Sequence, residues 1–157
     1  MKVNGWTLLA HPAFLEQYNK LITTVEELEK QEPEKYQLHP STKLLKSIQE
    51  LVYRRIPLDP TAQEFRQGTT LGQDKKYWFR AKFHQRFRLF FRYNMTSQVI
   101  IYGWVNDEKS LRKAGVKTDP YRIFARMLER GYPPNNWNEL LQESSNLNEP
   151  SDESPDL

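Results

Sequence analysis

In the stretch Lys75-Lys76-Tyr77-Trp78-Phe79-Arg80-Ala81-Lys82-Phe83-His84-Gln85-Arg86-Phe87-Arg88-Leu89-Phe90-Phe91-Arg92-Tyr93, aromatic and basic residues alternate almost one for one. Alternation means strands with two unlike faces, one able to bury and one presenting fixed positive charge. Between Lys75 and Asn106 there are seven Lys or Arg residues and no carboxylate, and eight aromatics fall within the first nineteen positions. Strands are predicted at about 77–83, 86–93 and 99–105. Parity tests the first pairing. With Lys82 opposite Arg86, Arg80 meets Arg88 and Trp78 meets Phe90, while Ala81, Phe79 and Tyr77 meet Phe87, Leu89 and Phe91 on the other face. That register needs an odd-length turn centred on His84, or a bulge. A two-residue turn at His84-Gln85 sets Lys82 opposite Phe87 and mixes the faces, so the odd turn is preferred.

Outward from this sheet, the flanks read as helices. Val3 to Leu9 predicts a short first strand. After it, Phe14, Tyr18, Leu21, Ile22, Val25 and Leu28 recur at helical spacing from Pro12 to about Gln31, and Pro33 ends the helix. A second helix follows Ser41 or Thr42 as its cap, with Leu44, Leu45, Ile48, Leu51 and Val52 as its stripe and Pro57 as its stop. Two amphipathic helices joined by a short linker suggest a helical hairpin lying on the sheet. Residues 56–73 read as a loop anchored by Phe65 and Leu71. Beyond the sheet, Asn106-Asp107 predicts a cap for a short helix through Leu111. Thr118-Asp119-Pro120 starts another helix, with Ile123, Phe124, Met127 and Leu128 inside and Gly131 at its end. Trp137 and Leu140 pin a final turn. The fold class is α+β.

At 157 residues the chain suits one domain, assigned to 1–140, with an acidic tail over 141–157 that reads as disordered. The tail holds five carboxylates and no Lys or Arg, so the rest carries 23 basic against 15 acidic residues, about +8, where the whole chain is +3. A body that basic favours polyanions, nucleic acid first and an anionic membrane second. No apolar run approaches the roughly 20 residues of a membrane span, the N-terminus lacks a signal pattern, and the cytoplasm is the expected compartment. With no cysteine, disulfides and thiolate metal sites are excluded. Three scattered histidines without His-x-x-x-His spacing argue against zinc, and no cofactor motif appears.

The basic face is the strongest constellation. Arg80, Lys82, Arg86, Arg88 and Arg92 on strands about 4.8 Å apart crowd like charges that destabilise a sheet unless a polyanion is placed there. The bland alternative is a solvated face partly paired with carboxylates such as Asp107 and Asp119. His84 at the turn is positioned as an acid or base; His11 and His39 each precede a proline and read as local. Trp78 and Phe90, sharing the basic side, are candidates either for base stacking or for core.

Three stretches together carry a family likeness: Val3-Asn4-Gly5-Trp6 with Ala10-His11-Pro12, Phe87 to Tyr93, and Gly103-Trp104-Val105-Asn106-Asp107-Glu108 with Leu111-Arg112. Lys117-Thr118-Asp119-Pro120-Tyr121 and Arg130-Gly131-Tyr132-Pro133-Pro134 continue it. The chain resembles the YhaV-type toxins of the RelE/ParE superfamily of bacterial toxin–antitoxin modules from about Val3 to Trp137. One departure is that His84-Gln85 stands where glycines are expected in the turn.

The resemblance implies a metal-independent endoribonuclease acting on messenger RNA by 2′-hydroxyl attack, in some cases on the ribosome. It also implies a PrlF-like antitoxin as partner, with operator DNA bound only through the antitoxin complex. On that reading Arg80 and Arg88 grip the phosphate, Lys82 is the base and Tyr93 relays a proton. Arg86, Arg92, Lys117 and His84 contact flanking RNA. The rival readings are a ParE-like toxin that binds a topoisomerase without cutting RNA, and a nucleic-acid-binding module without catalysis.

Overall fold

The computed structural model describes residues 1–148. The carboxylates from Glu149 onward, and the disorder expected of them, lie outside the described residues. In chain order the elements are β1 (Lys2–Val3), β2 (Trp6–Ala10), α1 (Pro12–Gln31), α2 (Pro40–Glu50), α3 (Ile56–Leu58), β3 (Phe79–Phe83), β4 (Phe87–Asn94), β5 (Val99–Val105), α4 (Pro120–Glu129), α5 (Trp137–Glu143) and β6 (Ser145–Asn146). The fold is α+β, a helical hairpin on a mostly antiparallel sheet with a helical C-terminal part. Strand order is β1-β2-β5-β4-β3, with β6 on β2, and β2 pairs with β5 in parallel.

Local chemistry explains the helix starts. His11 caps α1, its Nδ1 accepting the Ala13 N–H at 3.0 Å. His39, not Ser41 or Thr42, caps α2 in the same way, accepting the Ser41 N–H at 3.1 Å. In both, the following proline takes the first helical position, where its missing N–H costs nothing. The helical path also does not stop at Pro57. The Ile56 N–H reaches back to the Leu51 carbonyl, and this wider turn over Leu51–Arg55 carries the chain into α3. The first strand is divided, because Asn4 and Gly5 adopt φ 51° and 85° and fold β1 back on β2.

The sheet buries both faces. Beneath α1 and α2, Phe14, Leu45, Ile48 and Val52 pack on Leu8, Ala81, Leu89, Phe91, Ile100 and Tyr102. The phenylalanine face therefore lies under the hairpin, as the alternation predicts. The opposite face carries a second core, in which Trp78, Phe90, Trp104, Phe124, Leu128 and Leu140 pack together. Phe124 stacks on Phe90 with centroids 4.4 Å apart and on Trp104 at 5.9 Å, and meets Trp78 edge-on at 4.9 Å. Aromatic pairs of this kind contribute about 0.5–1.5 kcal/mol beyond area burial, and they dock α4 firmly. Gly103 allows the packing, since a Cβ there would sit 2.5 Å from the Trp78 ring.

Three other expectations are corrected. Lys82 pairs with Arg88 and Arg80 with Phe90, so the register slides two residues from the expected one. The odd turn is present: His84, Gln85 and Arg86 separate the strands, and the two faces stay chemically distinct. Residues 107–111 form a turn instead of a helix, because the Asp107 carboxylate takes the Lys109 N–H and the Ser110 hydroxyl. The fold also runs past residue 140. Helix α5 reaches Glu143, β6 pairs with β2, and Leu147 is buried with its N–H on the Leu8 carbonyl.

Candidate active site

Strands β3 and β4 put Arg80, Lys82 and Arg88 on the face that α4 covers only in part. Arg88 is buried and Arg80 half-buried, while Lys82 is exposed opposite Arg88. The hydroxyl of Tyr121 joins the two arginines. It accepts from Arg80 Nε at 2.9 Å and from Arg88 Nε at 3.1 Å. Arg80 also donates to the Glu64 carbonyl at 2.7 Å, and Arg88 to the Gln85 and Phe87 carbonyls, each at 2.9 Å. One terminal nitrogen of each guanidinium makes no hydrogen bond among the described residues, which leaves both free to take a phosphate oxygen.

Tyr121 is held from every side. Asp119, nearly fully buried, caps α4 by accepting the Tyr121 N–H at 3.1 Å. The other Asp119 oxygen takes Arg112 at 2.8 Å and the Lys113 N–H at 2.7 Å. Arg112 lies over the Tyr121 ring at 4.8 Å, and Phe90 meets that ring edge-on at 5.5 Å. Asn106 fixes the base of β4: its side-chain oxygen accepts the Arg88 N–H at 2.7 Å, and its nitrogen donates to the Ser110 carbonyl at 2.7 Å and the Arg86 carbonyl at 3.2 Å. Arg86, in the turn, donates through Nε to the Arg112 carbonyl at 3.1 Å.

Electrostatically the cluster is unbalanced. Among the described residues no carboxylate pairs with Arg80, Lys82, Arg86 or Arg88. Asp119 is committed to Arg112, and Asp107 binds its own turn and Gln17. An excess of fixed cations around the Tyr121 hydroxyl suits an anion whose charge grows during reaction. No three His, Cys, Asp or Glu side chains among the described residues converge as a metal ligand set.

The other sequence candidates lie elsewhere. Tyr93 faces the hairpin side, stacked on Phe79 at 4.7 Å and edge-on to Trp6 at 6.0 Å. Arg92 is boxed by the rings of Tyr77, Trp78 and Trp137 and donates to the Asn135 carbonyl, and burial lowers its pKa from the usual arginine value. It does not join the cluster around Tyr121. His84 turns toward α2, its Nε2 2.6 Å from the Ser47 hydroxyl. His84 and Gln85 take φ 43° and 64°, the left-handed positions where glycine fits without strain. Lys117 is exposed in the loop before α4, its carbonyl taking Arg126 at 2.9 Å. Trp78 and Phe90 are fully buried, so their role is core. Tyr121, Arg112 and Asn106 escaped the sequence reading. The Asp119-Pro120 helix start located Tyr121, but nothing local showed that its hydroxyl meets two arginines 41 and 33 residues earlier in the chain.

Residues 8–145 match the family described as "Toxin with endonuclease activity, of toxin-antitoxin system". "Toxin YhaV" of Escherichia coli O6:H1 is 48% identical over 145 residues, covering 91% of this chain and 94% of the relative. "Ribonuclease toxin YhaV" of Escherichia coli K12 is 47% identical over the same shares. No solved structure matches. A family match over residues 8–145 and relatives nearly half identical along almost their whole length show that the chain belongs to the YhaV family of toxins with endonuclease activity.

Proposed function

We propose that this toxin is an endoribonuclease that cuts messenger RNA without a metal ion, by attack of a ribose 2′-hydroxyl on the adjacent phosphorus. The observation that carries the reading is the Tyr121 hydroxyl shared by Arg80 and Arg88 beside an uncompensated Lys82. In this mechanism the free terminal nitrogens of Arg80 and Arg88 hold the non-bridging phosphate oxygens and stabilise charge on the phosphorane. Lys82, entering the step as its neutral amine, takes the 2′-hydroxyl proton and becomes the ammonium. The O2′–P bond forms, the P–O5′ bond breaks, and the leaving 5′-oxygen takes a proton from Tyr121. Both hydroxyl lone pairs of Tyr121 already receive guanidinium N–H groups, so its own hydrogen is left to be given away. Products are a 2′,3′-cyclic phosphate and a 5′-hydroxyl. Arg86 holds a flanking phosphate.

The same reading places the protein in the RelE/ParE superfamily and in the cytoplasm, where its substrate is messenger RNA, free or on the ribosome. Its partner is a PrlF-like antitoxin, and it meets operator DNA only through that complex. The 91% coverage by a relative named as a ribonuclease toxin supports RNA as substrate. End-group analysis of a defined transcript, cut by the purified protein in chelator, tests the chemistry. A 5′-phosphate product, or cleavage at a nucleotide carrying a 2′-deoxy sugar, would refute it. Repeating the reaction with and without ribosomes tests the ribosome requirement.

A further inference from the structure

Three residues before Arg80, Tyr77 stands outside the sheet with 65% of its surface exposed, more than any other aromatic side chain among the described residues. One face of its ring is occupied: the Arg92 guanidinium carbon lies 5.8 Å from the centroid. Arg92 is itself clamped, 5.7 Å from the Trp78 ring and 5.4 Å from that of Trp137, with its Nε unpartnered. No carboxylate among the described residues pairs with it. Arg88, Phe90 and Arg92 alternate along one face of β4, so the step from Arg88 to Arg92 is roughly 13 Å. An extended single strand leaving the Arg80–Tyr121–Arg88 cluster in this direction reaches Tyr77 within a short span, and Lys76 beside it is exposed.

We infer that Tyr77, backed by Arg92, is a stacking platform for an unpaired nucleobase near the cut, distinct from the cluster that grips the phosphate. The inference rests on the RNA-cleaving reading above. A ring held on one face by a fixed cation and open on the other can accept the π-face of any base, which gives affinity with little sequence demand. Arg92 keeps its charge close to the strand while its aromatic box prevents it from swinging to the reacting phosphate. Trp78 cannot serve in this way, because it is fully buried under Phe124.

The test uses 2′-O-methyl oligoribonucleotides, which lack the nucleophile and bind without being cut. Their affinity for the full-length wild type, Tyr77→Ala and Tyr77→Phe is measured by fluorescence anisotropy, with each position in turn made abasic. Tyr77→Ala should bind about five- to a hundredfold more weakly and Tyr77→Phe within about twofold of wild type. One abasic position should weaken the wild type to the level of Tyr77→Ala and cost that variant nothing. Tyr77→Ala binding as the wild type does, or abasic losses equal in both proteins, overturns the stacking site alone. A wild type that neither binds nor cuts RNA overturns the ribonuclease reading and this site with it.

Discussion

Replacing Tyr121 with phenylalanine removes one oxygen and keeps the ring contacts with Phe90, Arg88 and Arg112. Two guanidinium N–H groups lose their acceptor. Arg80 is half-buried and can turn to water, but Arg88 is 6% exposed and cannot. Removing the acceptor of a buried charged donor costs about 1.5–3 kcal/mol. Stability should therefore fall by about 1.5–3 kcal/mol, a Tm decrease of roughly 3–12 °C for a chain of this size. The rate should fall further, because the proton donor to the leaving oxygen is gone: about 10²- to 10⁴-fold in the chemical step. Single-turnover cleavage of a defined oligoribonucleotide, well below the variant's Tm, reads that step alone. Tyr121→Phe cutting within about threefold of wild type, while showing the expected Tm decrease, would leave the hydroxyl a structural role only and refute it as proton donor.

Gly103→Ala forces a methyl to within 2.5 Å of the Trp78 ring and should cost about 1–3 kcal/mol by thermal melting. Asn106→Ala leaves the Arg88 N–H without the oxygen 2.7 Å away; about 2–3 kcal/mol of stability should go, with a larger fall in kcat than rise in KM as Arg88 loses its placement. The Tyr132 hydroxyl donates to Glu16 at 2.6 Å. That bond, with burial and the Glu16 and Glu143 charges, pushes its pKa up to about 12, from an ordinary value near 10. A raised pKa means stability that is whole below about pH 10 and lost as pH rises through about 12. Tyr132→Phe should flatten the stability–pH curve in that window and, lacking the bond to Glu16, be less stable than the wild type at neutral pH, the difference vanishing above about pH 12.

The parts of the fold written in local sequence were legible in advance. The 3.6-residue stripe from Phe14 to Leu28 placed α1 at its observed bounds, and aromatic–basic alternation placed β3 and β4 with their faces correctly divided. Register was harder. Parity requires an odd turn, but a shift of two residues preserves every face, so alternation alone cannot choose between Arg86 and Arg88 as the partner of Lys82. The His-Pro helix starts were visible as punctuation; that histidine nitrogens do the capping at Pro40 as well as Pro12 depends on side-chain rotation. Core and stacking stayed open for Trp78 and Phe90 because they share a face with arginines, and only α4 folding across that face separates buried from open positions. Arg80 and Arg88 were recognisable from charge without carboxylates nearby. Tyr93 was the wrong tyrosine for the cluster, because the same strand parity that groups Arg88 with Arg92 turns Tyr93 to the hairpin side. Tyr121 reaches the arginines through tertiary packing that no spacing records.

If Arg80, Arg88 and Tyr121 act as a unit on the scissile phosphate, their losses should not add. Single-turnover cleavage by Arg80→Ala, Arg88→Ala and the double variant, each shown folded by circular dichroism, examines this. Each single change should slow cleavage by at least about 100-fold, and the double variant should be little worse than the slower single one. A folded Arg80→Ala or Arg88→Ala protein that cuts at the wild-type rate would mean that the phosphate is held somewhere else.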